Sequence, residues 1–270
     1  MAPEILILAG MTGFAAGLLD SIVGGGGLIM TPAMLNLFPG VPILQLIATQ
    51  RTSSIAGASV SAWNYLRSVR VDRRILVAAP LSAASFSLIG VSLAQRLDAE
   101  VLKMIVLALC VALAIYTFLR KDLGQTLTLQ PDAPNVVQYA LGVGAITGFY
   151  NGLIGPGTGT LMVFGFVSVL GLDFLRASAA AKVTNIASDL SSWLVLMLGG
   201  YVMWAVVLPL VLGNMAGSYC GSRLAILKGS RFIRWIFLFV VFALIARVGY
   251  DVWRLPPDAG SAIPAVAAAH

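Results

Sequence analysis

The chain has 270 residues, of which 59% are hydrophobic and only 10% are charged, and its formal net charge is +6. A soluble domain carries about 25% charged residues, so the composition excludes an ordinary water-soluble protein and indicates a polytopic α-helical membrane protein. The apolar runs are long and continuous, unlike the short alternating segments of a β-barrel. The basic balance does not indicate nucleic-acid binding, because the cations stand in short loops between apolar runs.

Ten apolar runs follow one another along the chain, and about 20 apolar residues are needed to cross a bilayer. The runs cover residues 5–22, 27–38, 42–66, 75–95, 99–119, 136–153, 159–171, 174–198, 202–223 and 231–251. We expect an all-α protein with about ten transmembrane helices. The second and seventh runs are short enough to be partial helices, and the sequence leaves open whether they cross the bilayer.

Basic residues cluster in the loops that follow the third, fifth and ninth runs. The clusters are Arg67, Arg70, Arg73 and Arg74; Arg120 and Lys121; and Arg223, Lys228, Arg231 and Arg234. With these clusters on the cytoplasmic side, we expect the loops near Gly40, Gly155 and Gly200, and both termini, on the outside.

Two parts of the chain resemble each other at an offset of 131 positions. The matched positions are Gly17 and Gly148, Asp20 and Asn151, Gly24 and Gly155, and Arg51 and Lys182. Each part holds five apolar runs, and five is odd, so the second part must enter the membrane from the opposite face. This predicts two inverted five-helix repeats, an architecture of secondary transporters; the alternative is chance similarity between apolar helices. We expect the first repeat at 1–122, a cytoplasmic linker at 123–135, the second repeat at 136–254 and a C-terminal tail at 255–270.

Glycines interrupt both parts at matched positions, as GGGG at 24–27 and as GPGTG at 155–159. A break inside the bilayer is tolerated only where protein or a watery cavity surrounds the freed backbone groups. The helix after each break directs its positive N-terminal end into the gap. We therefore expect Gly-rich helix breaks near the midplane that approach each other from opposite sides and form a binding site. The alternatives are close helix packing and a plain extramembrane turn.

Two cations stand deep within predicted helices. Arg51 lies nine residues after the start of the third run, roughly 13 Å deep, and Lys182 lies eight residues into the eighth run, roughly 12 Å deep. A lone cation there costs several kcal/mol, so each should face a partner or a watery cavity. Two cations and two positive helix ends together predict an anion site. The alternative is two structural ion pairs, Arg51 with Asp20 and Lys182 with Asp189; proton coupling through either carboxylate is a further hypothesis.

Four motifs carry a family resemblance, and they occur in order over roughly residues 5–253. They are GFAAGLLDSIVGGGGLIMTPAML, LIATQRTSSIAGASVSAWNYLR, GFYNGLIGPGTGTLMVF and AKVTNIASDLSSWLVLMLGGYVMW. The chain thereby resembles the TauE/SafE family of sulfite exporters, also called TSUP permeases. The resemblance implies a ten-helix permease of a bacterial inner membrane, with sulfite or organosulfonates such as sulfoacetate as substrates.

The sequence departs from the family pattern at two positions of interest. Arg51 stands where members commonly have Lys, and its planar guanidinium suits oxyanions better. Asn151 stands where members often have Asp, and it cannot ionise, which puts a proton role at that position in doubt.

We expect a secondary transporter rather than an enzyme, with no catalytic residues, no metal site and no cofactor, because the one histidine is His270 and the two cysteines stand apart. The expected partners are a small anionic substrate, the lipid bilayer and, as a hypothesis, protons, but no nucleic acid; the oligomeric state is open. The candidate substrate-binding residues are Arg51, Lys182, Gly25, Gly26, Gly27, Gly157, Thr158, Gly159, Thr49, Gln50, Ser53 and Asn185. The candidate residues for charge balance or proton coupling are Asp20, Asp189 and Asn151. Alternative functions are a passive anion channel and a permease for another small anion or carboxylate.

Overall fold

The computed structural model describes residues 3–96, 135–153 and 155–253. The predicted fifth run at 99–119, nearly all of the predicted linker at 123–135 and the predicted tail at 255–270 lie outside these residues. Every other predicted run corresponds to helix. The described residues contain no strand, which confirms the all-α prediction.

Eight helices make up the described part of the chain. They are α1 (Pro3–Val23), α2 (Gly26–Leu37), α3 (Ile43–Ser68), α4 (Arg73–Ala94), α5 (Val136–Leu153), α6 (Thr158–Ser168), α7 (Phe174–Leu198) and α8 (Trp204–Trp253). Helix α8 is broken at Gly229, whose φ of 74° lies outside the helical region. The predicted ninth and tenth runs are therefore the parts of α8 before and after this glycine.

Local sequence signals set where two of the long helices begin. Asp72 precedes α4 and accepts a hydrogen bond from the Arg74 backbone N–H at 2.8 Å. Asp173 precedes α7 and accepts from the backbone N–H groups of Leu175 and Arg176, each at 3.0 Å. Both aspartates satisfy backbone donors that a helix leaves unpaired in its first turn.

Helices α2 and α6 are too short to cross a bilayer. They have 12 and 11 residues, or about 18 and 17 Å at 1.5 Å per residue, against a hydrocarbon core of about 30 Å. Each folds back along the helix that precedes it: Met34 of α2 packs in one cluster with Ala9 of α1, and Gly165 of α6 faces Val143 of α5. The two short runs are therefore half-helices, which answers a question that the sequence left open.

Three of the described helices are long and apolar enough, each by itself, to cross a membrane: Pro3–Val23, Arg73–Ala94 and Trp204–Phe237. Helices α3 and α7 are as long, with 26 and 25 residues, but they carry buried polar and charged side chains that lower their hydropathy. These two helices hold Arg51 and Lys182, so the most polar long helices carry the two buried cations.

The packing of the first and second halves is matched position by position. A Cβ at Gly13 of α1 would collide with the carbonyl oxygen of Leu210 in α8, and a Cβ at Gly144 of α5 would collide with the carbonyl oxygen of Ala79 in α4. Adding 131 to 13 gives 144, and subtracting 131 from 210 gives 79. A two-fold relation that exchanges the halves requires this pattern, which supports the predicted repeat; its boundaries stay a prediction.

The next turn of the same helices repeats the pattern. A Cβ at Gly17 would meet the backbone of Asn214, and a Cβ at Gly148 would meet the backbone of Ala83. These positions again differ by 131 in each comparison. Because the close contacts join α1 to α8 and α5 to α4, each half of the chain packs its first helix against a helix of the other half.

Candidate functional site

The two glycine breaks cross each other in direct backbone contact. The Thr160 backbone N–H donates to the carbonyl oxygen of Gly24 at 3.1 Å, and Gly24 has a φ of 80°. A Cβ at Gly159 would lie 2.6 Å from the Cα of Gly24, closer than two carbon atoms can pack. The breaks therefore approach each other as the sequence predicts, and glycine is required for the crossing.

Gly155 lies next to a buried charged side chain. The sequence pattern places the segment near Gly155 in an outside loop, whereas a Cβ at this glycine would lie 3.6 Å from Nη2 of the buried Arg51. Gly155 lines an internal cavity. This contact agrees with the predicted break at 155–159, and the side of the membrane on which the segment lies stays a prediction.

Both half-helices begin at this crossing without a side-chain cap. The residues before their first turns are Gly25 for α2 and Gly157 for α6, and neither position supplies a capping side chain. The Gly26 backbone N–H donates to Oδ1 of Asp20 at 3.2 Å, so one amide of α2 already binds a carboxylate. The positive ends of the two helix dipoles are thus directed into the crossing region.

Lys182 forms an ion pair with Asp20, at 2.5 Å between Nζ and Oδ2. The Lys182 ammonium also donates to the backbone carbonyl oxygen of Asp20. The alternative pairing, Arg51 with Asp20 and Lys182 with Asp189, is therefore wrong. The cation of the second half instead binds the carboxylate of the first half, across the crossing.

Arg51 is 4% exposed and binds only neutral groups. Its Nη1 donates to Oγ of Ser192, and its Nη2 donates to the backbone carbonyl oxygens of Asn151 and Gly152. Within the described part of the chain, no carboxylate oxygen lies within 4.0 Å of the guanidinium, and its Nε has no hydrogen-bond partner. The positive charge of Arg51 is therefore buried without an ion pair.

The contacts of Arg51 mirror those of Lys182. Lys182 donates to the backbone carbonyl oxygen of Asp20, and Arg51 donates to the backbone carbonyl oxygen of Asn151. Adding 131 to the number of Asp20 gives Asn151, and subtracting 131 from the number of Lys182 gives Arg51, so the two contacts occupy matched positions of the two halves. The difference lies in the partner side chain, because Asp20 carries a charge and Asn151 does not.

Three neutral side chains hold the carboxylate of Asp189. Its Oδ2 accepts from Ser54 Oγ at 2.8 Å and from Asn185 Nδ2 at 2.9 Å, and its Oδ1 accepts from Asn151 Nδ2 at 2.8 Å. These donors come from α3, α7 and α5, so the carboxylate ties three helices together. Asp189 also forms no ion pair with the described residues.

A cavity of about 60 Å³ lies at the crossing. One water molecule needs about 10–15 Å³ by a comparable measure, so this cavity has room for several waters or for a small anion. The predicted site residues that line it are Asp20, Gly26, Gly27, Gln50, Arg51, Asn151, Gly157, Thr158, Gly159, Asn185 and Asp189. The structure thus brings most of the predicted site together around one polar cavity.

Four predicted residues lie away from the cavity lining: Gly25, Thr49, Ser53 and Lys182. The Thr49 hydroxyl donates to the carbonyl oxygen of Gln45 and accepts from the Met203 backbone N–H. The Ser53 hydroxyl donates to the carbonyl oxygen of Leu210 at 3.1 Å. These hydroxyls join α3 to neighbouring segments, and Lys182 reaches the cavity only through Asp20.

Gln50 lines the cavity with an incompletely paired amide. Its Oε1 accepts from Thr31 Oγ1 at 2.9 Å, while its Nε2 is buried and has no hydrogen-bond partner among the described residues. An unpaired buried donor costs about 1–3 kcal/mol, so a small shift of this side chain toward a bound acceptor would be favourable.

Asn214 of α8 is a polar lining residue that sequence reasoning missed. It is 4% exposed, and its Oδ1 accepts from Ser218 Oγ at 3.1 Å. An asparagine inside the apolar run 202–223 was an available signal, because polar residues within membrane helices face the protein interior. Ser54 and Ser192 were missed for a different reason: serine is common in membrane helices, so it carries little signal by itself.

Half-helices that meet end to end between long helices, with a buried polar cavity at their junction, define a membrane transporter. The chain belongs to the sulfite exporter TauE/SafE family, whose model matches residues 9–248.

Three relatives illustrate the similarity. The chain is 34% identical to a probable membrane transporter protein, ORF9, of a Sinorhizobium species, over 93% of this chain and 95% of that protein. It is 31% identical to a probable membrane transporter protein of Haemophilus influenzae, over 92% of this chain and 96% of that protein. It is 31% identical to the probable membrane transporter protein YfcA of Escherichia coli K12, over 93% of this chain and 92% of that protein. No solved structure matches the chain.

Proposed function

We propose that this transporter is a secondary carrier of small sulfur-containing anions, such as sulfite or an organosulfonate like sulfoacetate, and that the cavity at the crossing is the substrate site. The observation that carries the proposal is Arg51, a buried guanidinium that lines the cavity and forms no ion pair with any described residue. A planar guanidinium binds oxyanions through two parallel N–H donors. The family description, sulfite exporter, agrees with an oxyanion substrate.

The charges around the cavity favour a substrate with a single negative charge. Asp20 and Lys182 neutralise each other in one ion pair. Arg51 and Asp189 both line the cavity without forming an ion pair, so the four charges sum to zero when Asp189 is ionised. An anion that binds Arg51 must then approach a carboxylate in a medium that screens charge poorly.

Protonation of Asp189 would remove this conflict. A protonated Asp189 leaves one net positive charge at the site, which a monovalent anion would balance. The charged groups nearby are Arg51 on α3, Asp20 on α1 and Lys182 on α7, while α5 and α8 contribute the neutral amides of Asn151 and Asn214. We infer that the anion and one proton bind together, with Asp189 rather than Asp20 as the proton acceptor, because Asp20 is held by Lys182.

The remaining assignments follow from the proposed role. Backbone amides at the starts of α2 and α6 other than those of Gly26 and Thr160, which bind Asp20 and Gly24, donate to the oxygens of the anion, and Gln50 Nε2 and the Asn214 amide complete its ligands. Gly25, Thr49, Ser53 and Lys182 support the site from outside the cavity. The two inverted repeats rock around the crossing in a bacterial cytoplasmic membrane, with both termini on the outer side.

The experiment is transport by the purified chain in liposomes. Sulfite, sulfate, thiosulfate and sulfoacetate are compared for binding and for flux, with and without a pH gradient. We expect saturable flux of a sulfur monoanion, and Arg51→Gln should weaken its binding about 10- to 100-fold, because a hydrogen bond to a charged group contributes roughly 1.5–3 kcal/mol.

Arg231→Gln is the matched control, since it removes an exposed arginine outside the cavity. Wild-type binding in Arg51→Gln would remove the site assignment. Single-channel currents would indicate the passive channel instead, and flux of a carboxylate but of no sulfur anion would indicate another permease.

A further inference from the structure

A second positively charged feature lies on the surface, far from the cavity. Trp63 and Arg67 of α3 and Tyr219 and Arg223 of α8 form what we call the α3/α8 basic patch. The Arg67 guanidinium carbon stacks 4.1 Å from the centre of the Trp63 ring, and the Arg223 guanidinium carbon stacks 5.1 Å from the centre of the Tyr219 ring. All four side chains are exposed.

The two stacked pairs project from the same side of the α3/α8 pair. Helices α3 and α8 run parallel, because Ser53 bonds to Leu210 and Asn64 bonds to Ser222 as both sequence numbers rise. At about 100° per residue, Trp63 and Arg67 lie about 100° and 60° to one side of Asn64. Tyr219 and Arg223 lie about 60° and 100° to the opposite side of Ser222. Asn64 and Ser222 face each other, so a rotation to one side on α3 and the opposite rotation on α8 both lead to the same side of the helix pair.

The α3/α8 basic patch lies at the depth of a membrane surface. Arg223 follows the exposed Trp204 by 19 residues, about 28 Å along α8, which is close to the thickness of the hydrocarbon core. Arg67 is the second-last residue of α3. Tryptophan and tyrosine rings concentrate at this depth, where lipid headgroups begin.

Both arginines have donors to spare. Within the described residues, neither guanidinium forms a hydrogen bond or lies within 4.0 Å of a carboxylate, and each carries five N–H donors. Toward the bilayer centre, Leu212 and Met215 of α8 lie on the same side and are 59% and 37% exposed. An apolar surface of this kind suits acyl chains, next to two charges that suit a phosphate.

We propose that the α3/α8 basic patch binds one anionic phospholipid, with its phosphate between Arg67 and Arg223 and its acyl chains along α8. The aromatic rings hold the guanidinium planes in place while leaving their N–H edges open. Basic pockets between transmembrane helices are known to recognise anionic headgroups. This site is independent of the anion cavity.

The test is native mass spectrometry of the full chain in detergent, titrated with dioleoyl-phosphatidylglycerol and, separately, dioleoyl-phosphatidylcholine. Each arginine should contribute about fivefold in affinity for the anionic lipid. Arg67→Gln/Arg223→Gln should therefore bind phosphatidylglycerol roughly 30-fold more weakly and leave phosphatidylcholine binding unchanged. The matched control Arg73→Gln/Arg231→Gln removes the same charge from other exposed positions and should stay within about threefold of wild type.

Equal loss in the two double variants would overturn the proposal in favour of a diffuse positive field. Unchanged phosphatidylglycerol binding in Arg67→Gln/Arg223→Gln would overturn it as well. The proposal would also be overturned if the wild-type spectra showed a dimer of two chains that this variant no longer forms, while lipid binding stayed the same.

A second measurement uses the wild-type fold: brominated phosphatidylglycerol should quench tryptophan fluorescence more than brominated phosphatidylcholine, and Trp63→Leu should remove the difference. Equal quenching by both lipids would contradict the site.

Discussion

The ion pair between Lys182 and Asp20 allows a test of whether Lys182 stabilises the fold or binds the substrate. Lys182→Met removes the charge and keeps an unbranched chain. Asp20→Asn removes the carboxylate charge and keeps an Oδ1 that can still accept from the Gly26 backbone N–H. The double variant Asp20→Asn/Lys182→Met therefore removes both charges and leaves the start of α2 with its partner.

The magnitude follows from burial. The Lys182 and Asp20 side chains are 2% and 13% exposed, so water stabilises a charge that is left behind only weakly. Removing one partner of a buried ion pair costs about 3–5 kcal/mol, whereas replacing both charges is often close to neutral. We expect each single variant to lose about 3–5 kcal/mol of unfolding free energy and the double variant to recover at least half of that loss.

The assay is equilibrium unfolding in mixed detergent micelles, followed by anion binding for each folded variant. Lys182 does not line the cavity, and although Asp20 does, the two removed charges cancel each other, so the double variant should bind the anion about as well as wild type. A loss below about 1 kcal/mol in Lys182→Met, or a double variant as unstable as the two losses combined, would refute the energetic reasoning. A stable double variant without anion binding would show that the Asp20–Lys182 pair takes part in anion binding.

Three further changes test the crossing and the cavity. Gly159→Ala should lower the unfolding free energy by about 1–3 kcal/mol, because its methyl group would lie 2.6 Å from the Gly24 Cα. The control Gly142→Ala places a methyl group in open space and should stay within about 1 kcal/mol of wild type. Equal unfolding free energies of the two variants would contradict the crossing. Asn214→Ala should weaken anion binding about fivefold through one lost hydrogen bond, and unchanged affinity would remove α8 from the site. Wild-type flux should rise as the pH on the anion-loading side falls, because protonated Asp189 makes the site more positive. In the same flux assay, Asp189→Asn should abolish this pH response. A pH response that persists in Asp189→Asn would place the proton on another group.

Much of the architecture was predictable because its causes are local. Long apolar runs predict membrane helices wherever they stand, and four consecutive glycines weaken a helix whatever surrounds them. The burial of Arg51 and Lys182 followed from counting residues along predicted helices. Comparison of the two halves at an offset of 131 even predicted that the two breaks approach each other.

The partners of these residues were not predictable in the same way. The sequence allowed Arg51 to pair with Asp20, yet the carboxylate binds Lys182 and the guanidinium binds the carbonyl oxygen of Asn151. The contact between Gly155 and Arg51 was not predictable for a related reason, since a lack of basic residues describes a loop and a buried break equally well.

Composition and local pattern thus determined that this chain enters the membrane, where its helices break and that its two central cations are buried, because hydropathy and backbone geometry act over a few residues. Only the tertiary structure decided which charge neutralises which, that Asn214 lines the cavity, and that Arg51 forms no ion pair within the part of the chain that the structure describes. Those outcomes depend on which helices become neighbours, and neighbours are selected by close packing between distant segments, such as Gly17 of α1 against the backbone of α8.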